Sequence, residues 1–366
     1  MSEPLCKQFG NCGGCSAQHI PYSVQLENKK KFLQNITKTE VQVFSDKEYN
    51  YRNRMDFIFS SQGLGFRKKS DWQKIIPVDN CMIADDKVNK LLQEINSFFK
   101  DIDAFDVKKH TGAYRYAVVR SANDSSISFV LNPKSSNLSE AIEKIKEFSK
   151  VSSAENILVT YVPPETDTST SSDFFVVKGN DYLTISYRNK LFNYSIQSFF
   201  QNNHVMAEKM HEYVSSILNK YPTKENNLLD LYGGVGTFGI INSELFQKVT
   251  IVEFSKESID QAMKNLQLNN LKNIEAFAMD SKYLPKLNLK SPLYVITDPP
   301  RTGMDPKTIL ALKQLKPKLI IYISCNPQQL SKDLFKLREY KVVSSALFDL
   351  FPQTPHSEAV VELIPV

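Results

Sequence analysis

The sequence predicts an α/β protein whose last part, residues 196–366, is a doubly wound, mostly parallel sheet. Three observations predict it. Short apolar runs at 227–231, 249–253, 293–297 and 318–324 alternate with helical patterns; Ile259, Ala262, Met263 and Leu266 fall at i, i+3, i+4 and i+7 between two of them. A glycine-rich turn follows the first run. The least ordinary residues stand just after each run, at the strand ends where such Rossmann-like sheets bind ligands.

Earlier elements follow in order. Tyr22, Leu26 and Leu33 sit near helical spacing, with polar helix formers between them. Tyr51 to Ser60 alternates as a strand, Gln62-Gly63 makes a turn, and Gly65 to Arg67 starts the return strand. Pro77-Val78-Asp79-Asn80 is a turn that can bring Cys81 back to the first cysteines. Val88 to Phe99 and Glu140 to Phe148 read as helices; Tyr114–Arg120, Ser126–Leu131, Ile157–Tyr161 and Phe174–Val177 read as strands. A Pro-Pro pair and a Ser/Thr/Asp run over 163–172 read as a loop, and a helix spans roughly 203–219. A chain of 366 residues exceeds one ordinary core. The expected parts are a small module held by clustered cysteines (1–88), a mixed α/β central region (89–195) and the doubly wound domain (196–366).

An apolar fraction of 42% and a charged fraction of 23% fit a globular protein, and no run approaches the roughly 18 apolar residues of a membrane span. The start, Met-Ser-Glu-Pro-Leu-Cys-Lys, lacks an apolar signal core, so the expected compartment is the cytoplasm, where thiols stay reduced. Clustered cysteines then read as ligands. Cys6, Cys12 and Cys15, in Cys-x5-Cys-Gly-Gly-Cys, together with Cys81 supply the four thiolates of a metal or iron–sulfur centre. A net charge of +5 is only mildly basic, but Arg52, Arg54, Arg67, Lys68, Lys69 and Lys74 are interleaved with Tyr51, Phe57, Phe59, Phe66 and Trp72. Cations among rings suit phosphates and unstacked bases, although a hairpin whose aromatics pack inward has the same pattern. No coiled coil or long apolar edge demands a protein partner.

Asp230-Leu-Tyr232-Gly-Gly234-Val-Gly236-Thr-Phe-Gly239 holds a G-x-G-x-x-G pattern, with Glu253 about 19 residues on to meet ribose hydroxyls. A nicotinamide dinucleotide fits that pattern; so does S-adenosylmethionine, with Asp230 opening the turn. Asp280 closes the third strand in a position suited to an adenine amino group. The fourth ends in Asp298-Pro-Pro-Arg301, a rigid, NH-poor turn of the kind methyltransferases hold against a flat ring.

Cys325 ends the apolar run Leu319–Ser324. A free thiol has a pKa of about 8.5, and Arg301 or nearby NH groups could raise its thiolate fraction. A buried inert cysteine has the same sequence appearance. Asp349-Leu-Phe-Pro-Gln-Thr-Pro-His356-Ser-Glu358 offers two proton acceptors, His356 and Glu358. A thiolate, a base and a methyl donor together suit a pyrimidine, whose C5 becomes nucleophilic once a thiolate adds to C6.

At this point the chain resembles the iron–sulfur-containing branch of the RNA 5-methyluridine methyltransferases. The resemblance runs almost end to end: Cys6-x5-Cys12-Gly-Gly-Cys15, Gln18-His19-x-x-Tyr22-x-x-Gln25-Leu26, Tyr51-Arg-Asn-Arg54, Ser198-Phe-Phe-Gln201-x-Asn203, Asp230-Leu-Tyr-Gly-Gly-Val-Gly236, Asp298-Pro-Pro-Arg301, Ser324-Cys-Asn-Pro327 and His356-Ser-Glu358. It implies a class I methyltransferase domain, a [4Fe-4S] cluster on Cys6, Cys12, Cys15 and Cys81, and S-adenosylmethionine contacts from Gln201, Tyr232, Glu253 and Asp298. The glycine turn at Gly234 and the less closely matching Asp280 complete that pocket. It also implies Cys325 as nucleophile, Glu358 as base and an RNA substrate. The longest members carry a small β-barrel RNA-binding domain before the cluster. With its first cysteine at position 6 the chain is similar to shorter members, some of which modify ribosomal RNA. The expected substrate is therefore ribosomal RNA ahead of the T-loop of transfer RNA.

Three rival readings share parts of this pattern. A 5-methylcytosine enzyme would be expected to use a Pro-Cys nucleophile, whereas here it is Ser-Cys-Asn. A zinc-anchored RNA binder without activity would more often show paired Cys-x2-Cys knuckles. A nicotinamide dehydrogenase rests on the glycine pattern alone.

Overall fold

The structure is a computed structural model and describes residues 2–366. It divides into two compact units. The first comprises the chain up to Tyr22, Lys47–Ile185 and Tyr194–His204; the second comprises Ser23–Asp46, Ser186–Asn193 and Val205–Val366. Among the described residues no helix is long and apolar enough to cross a membrane.

The first unit is built on a seven-stranded sheet in the order Asp71–Pro77, Gly63–Lys68, Arg54–Ser60, Tyr114–Ser121, Ser125–Leu131, Asn156–Tyr161 and Phe174–Lys178. The Arg54–Ser60 strand alternates strictly, burying Met55, Phe57 and Phe59. Those rings meet helix Asp86–Phe98 through Val88, Leu91, Leu92 and Ile95, and helix Leu138–Val151 through Ala141, Ile145 and Phe148. Asp85 caps the first of these helices, accepting a hydrogen bond from the Val88 N–H at 2.8 Å. The second helix is the crossover between Ser125–Leu131 and Asn156–Tyr161, the one parallel pair in this sheet. Gly65 has a local steric reason: a Cβ there would stand 2.1 Å from the Ile76 carbonyl oxygen on the next strand.

The second unit carries an eight-stranded sheet in the order Val41–Phe44, Tyr340–Phe348, Glu358–Pro365, Leu319–Ser324, Leu293–Thr297, Asn227–Leu231, Lys248–Glu253 and Ile274–Ala278. Every strand is parallel to its neighbours except Glu358–Pro365, which runs antiparallel to both of its own. The strand order reverses beside Asn227–Leu231, so a crevice opens between the ends of that strand and Leu293–Thr297. Residues 33–41 add to this core: Leu33 and Val41 pack with Leu229, Val295, Ile320 and Val361. The helix after the glycine turn is only Thr237–Ile241, followed by a 3-10 turn at Ser243–Leu245.

Candidate active site

The crevice of the second unit encloses about 480 Å³, and its walls include Tyr232, Glu253, Phe254, Met279, Asp280 and Pro300. The glycine turn follows directly on Tyr232 of that wall. Gly234 and Gly236 have φ of +54° and +87°, which only glycine adopts without strain. Asp230 is buried and accepts the Gly239 N–H at 2.7 Å, tying the far end of the turn to the strand. Burial pushes its carboxyl up to about 7, with the carboxylates of Asp298 and Glu253 adding to the rise against that hydrogen bond. Asp230 therefore shapes the turn from behind.

Glu253 accepts the Gly234 N–H at 3.2 Å and the Ser255 N–H at 2.9 Å, so its carboxylate is fixed at the lip of the pocket. Tyr232, at φ +61°, is held by a chain of hydroxyls. Ser281 Oγ donates to Tyr232 Oη at 2.9 Å, and Thr308 Oγ1 donates to Ser281 Oγ at 2.8 Å. Asp280 caps the 3-10 segment Ser281–Lys286 and pairs with Lys282 Nζ at 2.7 Å, which holds its carboxyl below the usual range. Phe254 leaves 74% of its surface exposed beside the pocket. Phe254, Ser281 and Thr308 were not singled out from sequence; the position of Phe254, directly after the acidic end of the second strand, is the one cue that could have found it.

Opposite the glycine turn, partial burial and then Glu253 push Asp298 up to about 7. Its strand-end loop is braced from below. The Met304 N–H donates to the buried Asp333 at 2.9 Å, Tyr322 Oη donates to the same oxygen at 2.8 Å, and Asn326 Nδ2 donates to the Arg301 carbonyl at 2.9 Å. Asn326 also caps helix Pro327–Lys336, so the loop after Cys325 and the loop after Asp298 are one hydrogen-bonded assembly.

Cys325 and Glu358 meet through strand register. Ser324 pairs with Ala359 across the antiparallel ladder, which makes Cys325 and Glu358 the next facing positions. Each feels the other's surroundings. Burial, then Glu358 and Asp298, push the Cys325 thiol up to about 11, and Arg301 only partly opposes them. Burial and Asp298 push Glu358 well above the usual carboxylate range, again against Arg301. The expectation that Arg301 enriches the thiolate is therefore outweighed: the net push on the thiol is upward. His356 is exposed, its N–H held by Thr354 Oγ1 at 3.2 Å, whereas Glu358 is 4% exposed. A thiol and a carboxyl side by side, with a cation near both, can exchange a proton and serve as nucleophile and base.

Gln201 belongs to the first unit. There its carbonyl accepts Asn53 Nδ2 at 3.2 Å, and the next carbonyl, of Asn202, accepts the Asn53 N–H at 3.0 Å.

The other cysteines lie in the first unit and are free thiols. Cys12 bridges to Lys68, and Asn89 clamps the Cys81 backbone by bonds of 2.8 and 3.1 Å. Cys6, Cys12 and Cys81 are near enough to Cys15 to help burial push its thiol up to about 11. Among the described residues, however, no three His, Cys, Asp or Glu side chains are gathered as tightly as one metal ion requires.

A family model described as tRNA (uracil-5-)-methyltransferase matches residues 21–365. The chain is 32% identical over 362 residues to the tRNA (uracil(54)-C(5))-methyltransferase of Pyrococcus horikoshii, covering 98% of this chain and 85% of that protein. It is 33% identical over 383 residues to an uncharacterised RNA methyltransferase of Clostridium tetani, covering 99% and 84%. The crystal structure of Pyrococcus abyssi tRNA (uracil-54, C5)-methyltransferase in complex with S-adenosyl-L-homocysteine superimposes with a TM-score of 0.82 at 29% identity, over 96% of this chain and 86% of that one.

Proposed function

The chain belongs to the tRNA (uracil-5-)-methyltransferase family and is an S-adenosylmethionine-dependent RNA uracil-C5 methyltransferase; from that premise we propose that its substrate is transfer RNA, at the uridine corresponding to position 54. The Pyrococcus relatives are transfer RNA (uracil-54) enzymes, which supports transfer RNA ahead of the ribosomal RNA expected from sequence.

The observation that carries the mechanism is the Ser324–Ala359 register, which sets Cys325 beside Glu358. The Cys325 thiol gives up its proton to bulk water as Sγ bonds to uracil C6, and electron density moves to C5 and the O4 carbonyl. A bound S-adenosylmethionine would supply a sulfonium-activated methyl group, which the nucleophilic C5 takes up as the cofactor sulfur keeps the electron pair of the broken bond. The Glu358 carboxylate then removes the C5 proton, the C5–C6 double bond re-forms and Cys325 leaves as thiolate, ready to recover a proton. Asp298 and Pro299-Pro300 shape the surface against the base, and Asp230 holds the glycine turn. Tyr232, Gly234, Glu253 and, at the rim, Asp280 hold the cofactor. Phe254 offers a ring on which adenine stacks. The test is methylation of transfer RNA and ribosomal RNA transcripts with labelled cofactor, followed by site mapping. Label at uridine 54 of transfer RNA supports the reading; label confined to ribosomal RNA overturns it.

Cys6, Cys12, Cys15 and Cys81 are proposed to hold a [4Fe-4S] cluster. In such a centre each thiolate binds a different iron, so the sulfurs stand farther apart than around one ion. Support comes from the influence of Cys6, Cys12 and Cys81 on the Cys15 thiol. Gln18 supports the same reading: it is 2% exposed, its Oε1 accepts the Cys6 N–H at 3.1 Å, and its amide eases ionisation of Cys15 while Nε2 lacks an oxygen or nitrogen acceptor. Anaerobic purification with iron and sulfide analysis tests it; a colourless protein with stoichiometric zinc overturns it.

A further inference from the structure

The first unit holds a second cleft, of about 720 Å³, that the methyl-transfer chemistry does not use. Arg67, Lys68, Lys74, Lys108 and Arg115 line it. Two of its carboxylates are locally engaged: Asp71 lies 3.9 Å from Lys74 Nζ, and Asp106 accepts the backbone N–H groups of Lys108 and Lys109 at 2.8 and 3.1 Å.

The third carboxylate, Asp167, is different. It comes from the Ser/Thr-rich 163–172 loop and lies on a preformed anion receptor. Arg67 Nη2 donates to both of its oxygens, at 2.8 and 3.0 Å, and the Tyr116 hydroxyl donates to one of them. The receptor is rigid: Arg67 Nη1 donates to the Trp72 carbonyl at 2.7 Å, and the guanidinium lies 5.4 Å from the Trp72 ring centroid. The loop's root is also fastened, because the buried Arg115 donates to the carbonyls of Val162, Pro163 and Thr166. Asp167 itself remains 55% exposed. An exposed ion pair contributes little, whereas charge-assisted hydrogen bonds from a guanidinium to a phosphate are among the stronger ones. Trp72, 54% exposed beside that guanidinium, presents an aromatic ring of the sort on which unstacked bases lie.

We propose that Arg67 and Tyr116 form a seat for a phosphodiester of the RNA substrate, that Asp167 fills this seat in the free protein, and that Trp72 receives the neighbouring base. The proposal rests on the reading of the chain as an RNA methyltransferase. Lys68, Lys74 and Lys108 extend the same positive surface along the strand of RNA. The chain thus carries its own anion as a competitor, so that RNA enters by exchanging one anion for another.

The test measures binding of a labelled transfer RNA transcript to the full-length protein across a salt series. Affinity for S-adenosylhomocysteine is measured in parallel to report that each variant is folded. Asp167→Asn should bind RNA about 3- to 10-fold tighter, because the competing anion is gone. Arg67→Gln should bind about 10-fold more weakly, and the slope of log K against log salt should fall by about one. Lys74→Gln, which removes no buried contact, should lower the slope by a similar amount. Inorganic phosphate at millimolar concentration should not displace the RNA; displacement would reduce the seat to a small-anion site and overturn the proposal. Unchanged affinity in Asp167→Asn, with unchanged salt slopes in the other two, also overturns it while wild-type protein still methylates transfer RNA. Failure of the wild type to methylate any RNA would instead remove the reading beneath it.

Discussion

Lys29 Nζ lies 2.6 Å from Asp349 Oδ1, with the two side chains 7% and 0% exposed. The lysine also donates to the Phe351 carbonyl at 3.3 Å, and Gln25 bonds Gln353 through both its side-chain oxygen and nitrogen, at 3.1 and 3.0 Å. Helix Tyr22–Thr37 thus grips the segment that leads into Glu358. Removing one partner leaves a buried charge without compensation. Lys29→Met should destabilise the protein by about 3–5 kcal/mol in urea unfolding. The pair Lys29→Met with Asp349→Leu should recover much of that loss. Equal instability of the single and double variants would show that the pair matters only as packing.

Covalent chemistry separates the two reacting groups. Cys325→Ala should lose methylation by at least about a thousandfold, with S-adenosylhomocysteine affinity within about twofold of wild type. Glu358→Gln should still attack C6, so a protein–RNA adduct resistant to denaturant should accumulate on electrophoresis. Normal turnover in Glu358→Gln would assign C5-proton removal to His356 or water.

The rate should rise with pH. Both Cys325 and Glu358 have raised pKa values in the free protein, and both act through their deprotonated forms. Single-turnover rates should therefore climb from acid through neutral pH and keep rising on the alkaline side. Arg301 lowers both groups, so Arg301→Gln should move the profile to higher pH. A profile displaced toward acid would contradict that electrostatic order.

Cys325 was legible because an apolar run ends at it, and the cofactor crevice because glycines and carboxylates follow successive runs. The resemblance named Cys325 and Glu358 as nucleophile and base, but the strand register that sets them side by side was not legible. It depends on Glu358–Pro365 inserting antiparallel between Leu319–Ser324 and Tyr340–Phe348, which reverses the local strand order. Val41–Phe44 is four residues long, too short to show a period, and joins the sheet only by pairing with Tyr340–Phe348. Lys29 and Asp349 stand 320 residues apart, and nothing local in either stretch marks them as partners. The hydroxyl chain behind Tyr232 is similarly a product of tertiary packing.

Gly303 offers a test of the loop brace. Its φ is +80°, and a Cβ would stand 2.4 Å from Asp333 Oδ2, the oxygen that receives the Met304 N–H and Tyr322 Oη. Gly303→Ala should cost more than about 1 kcal/mol and displace the loop that carries Asp298 and Arg301. Cofactor KM and methylation should both suffer, while the unfolding midpoint falls only modestly. Wild-type kinetics in this variant would show that the loop adapts without consequence.

Asp230 gives a stability signature with a defined sign. Its folded carboxyl is raised from 3.8 to about 7, so folding favours the protonated form. The stabilising contribution is complete below the unfolded value and is lost as pH rises through about 7. Asp230→Asn keeps a side-chain oxygen for the Gly239 N–H but has no charge to bury. The variant should therefore gain on wild type by a few kcal/mol, at most about 4, between pH 4 and pH 8. Asp298 and Glu253 add to the shift, so the gain should be partly shared with those carboxylates and smaller in protein already carrying Asp298→Asn. Urea unfolding of the cofactor-free protein at several pH values measures it. Parallel stability curves for wild type and Asp230→Asn would mean that the carboxyl behind the glycine turn is solvated well enough to ionise normally.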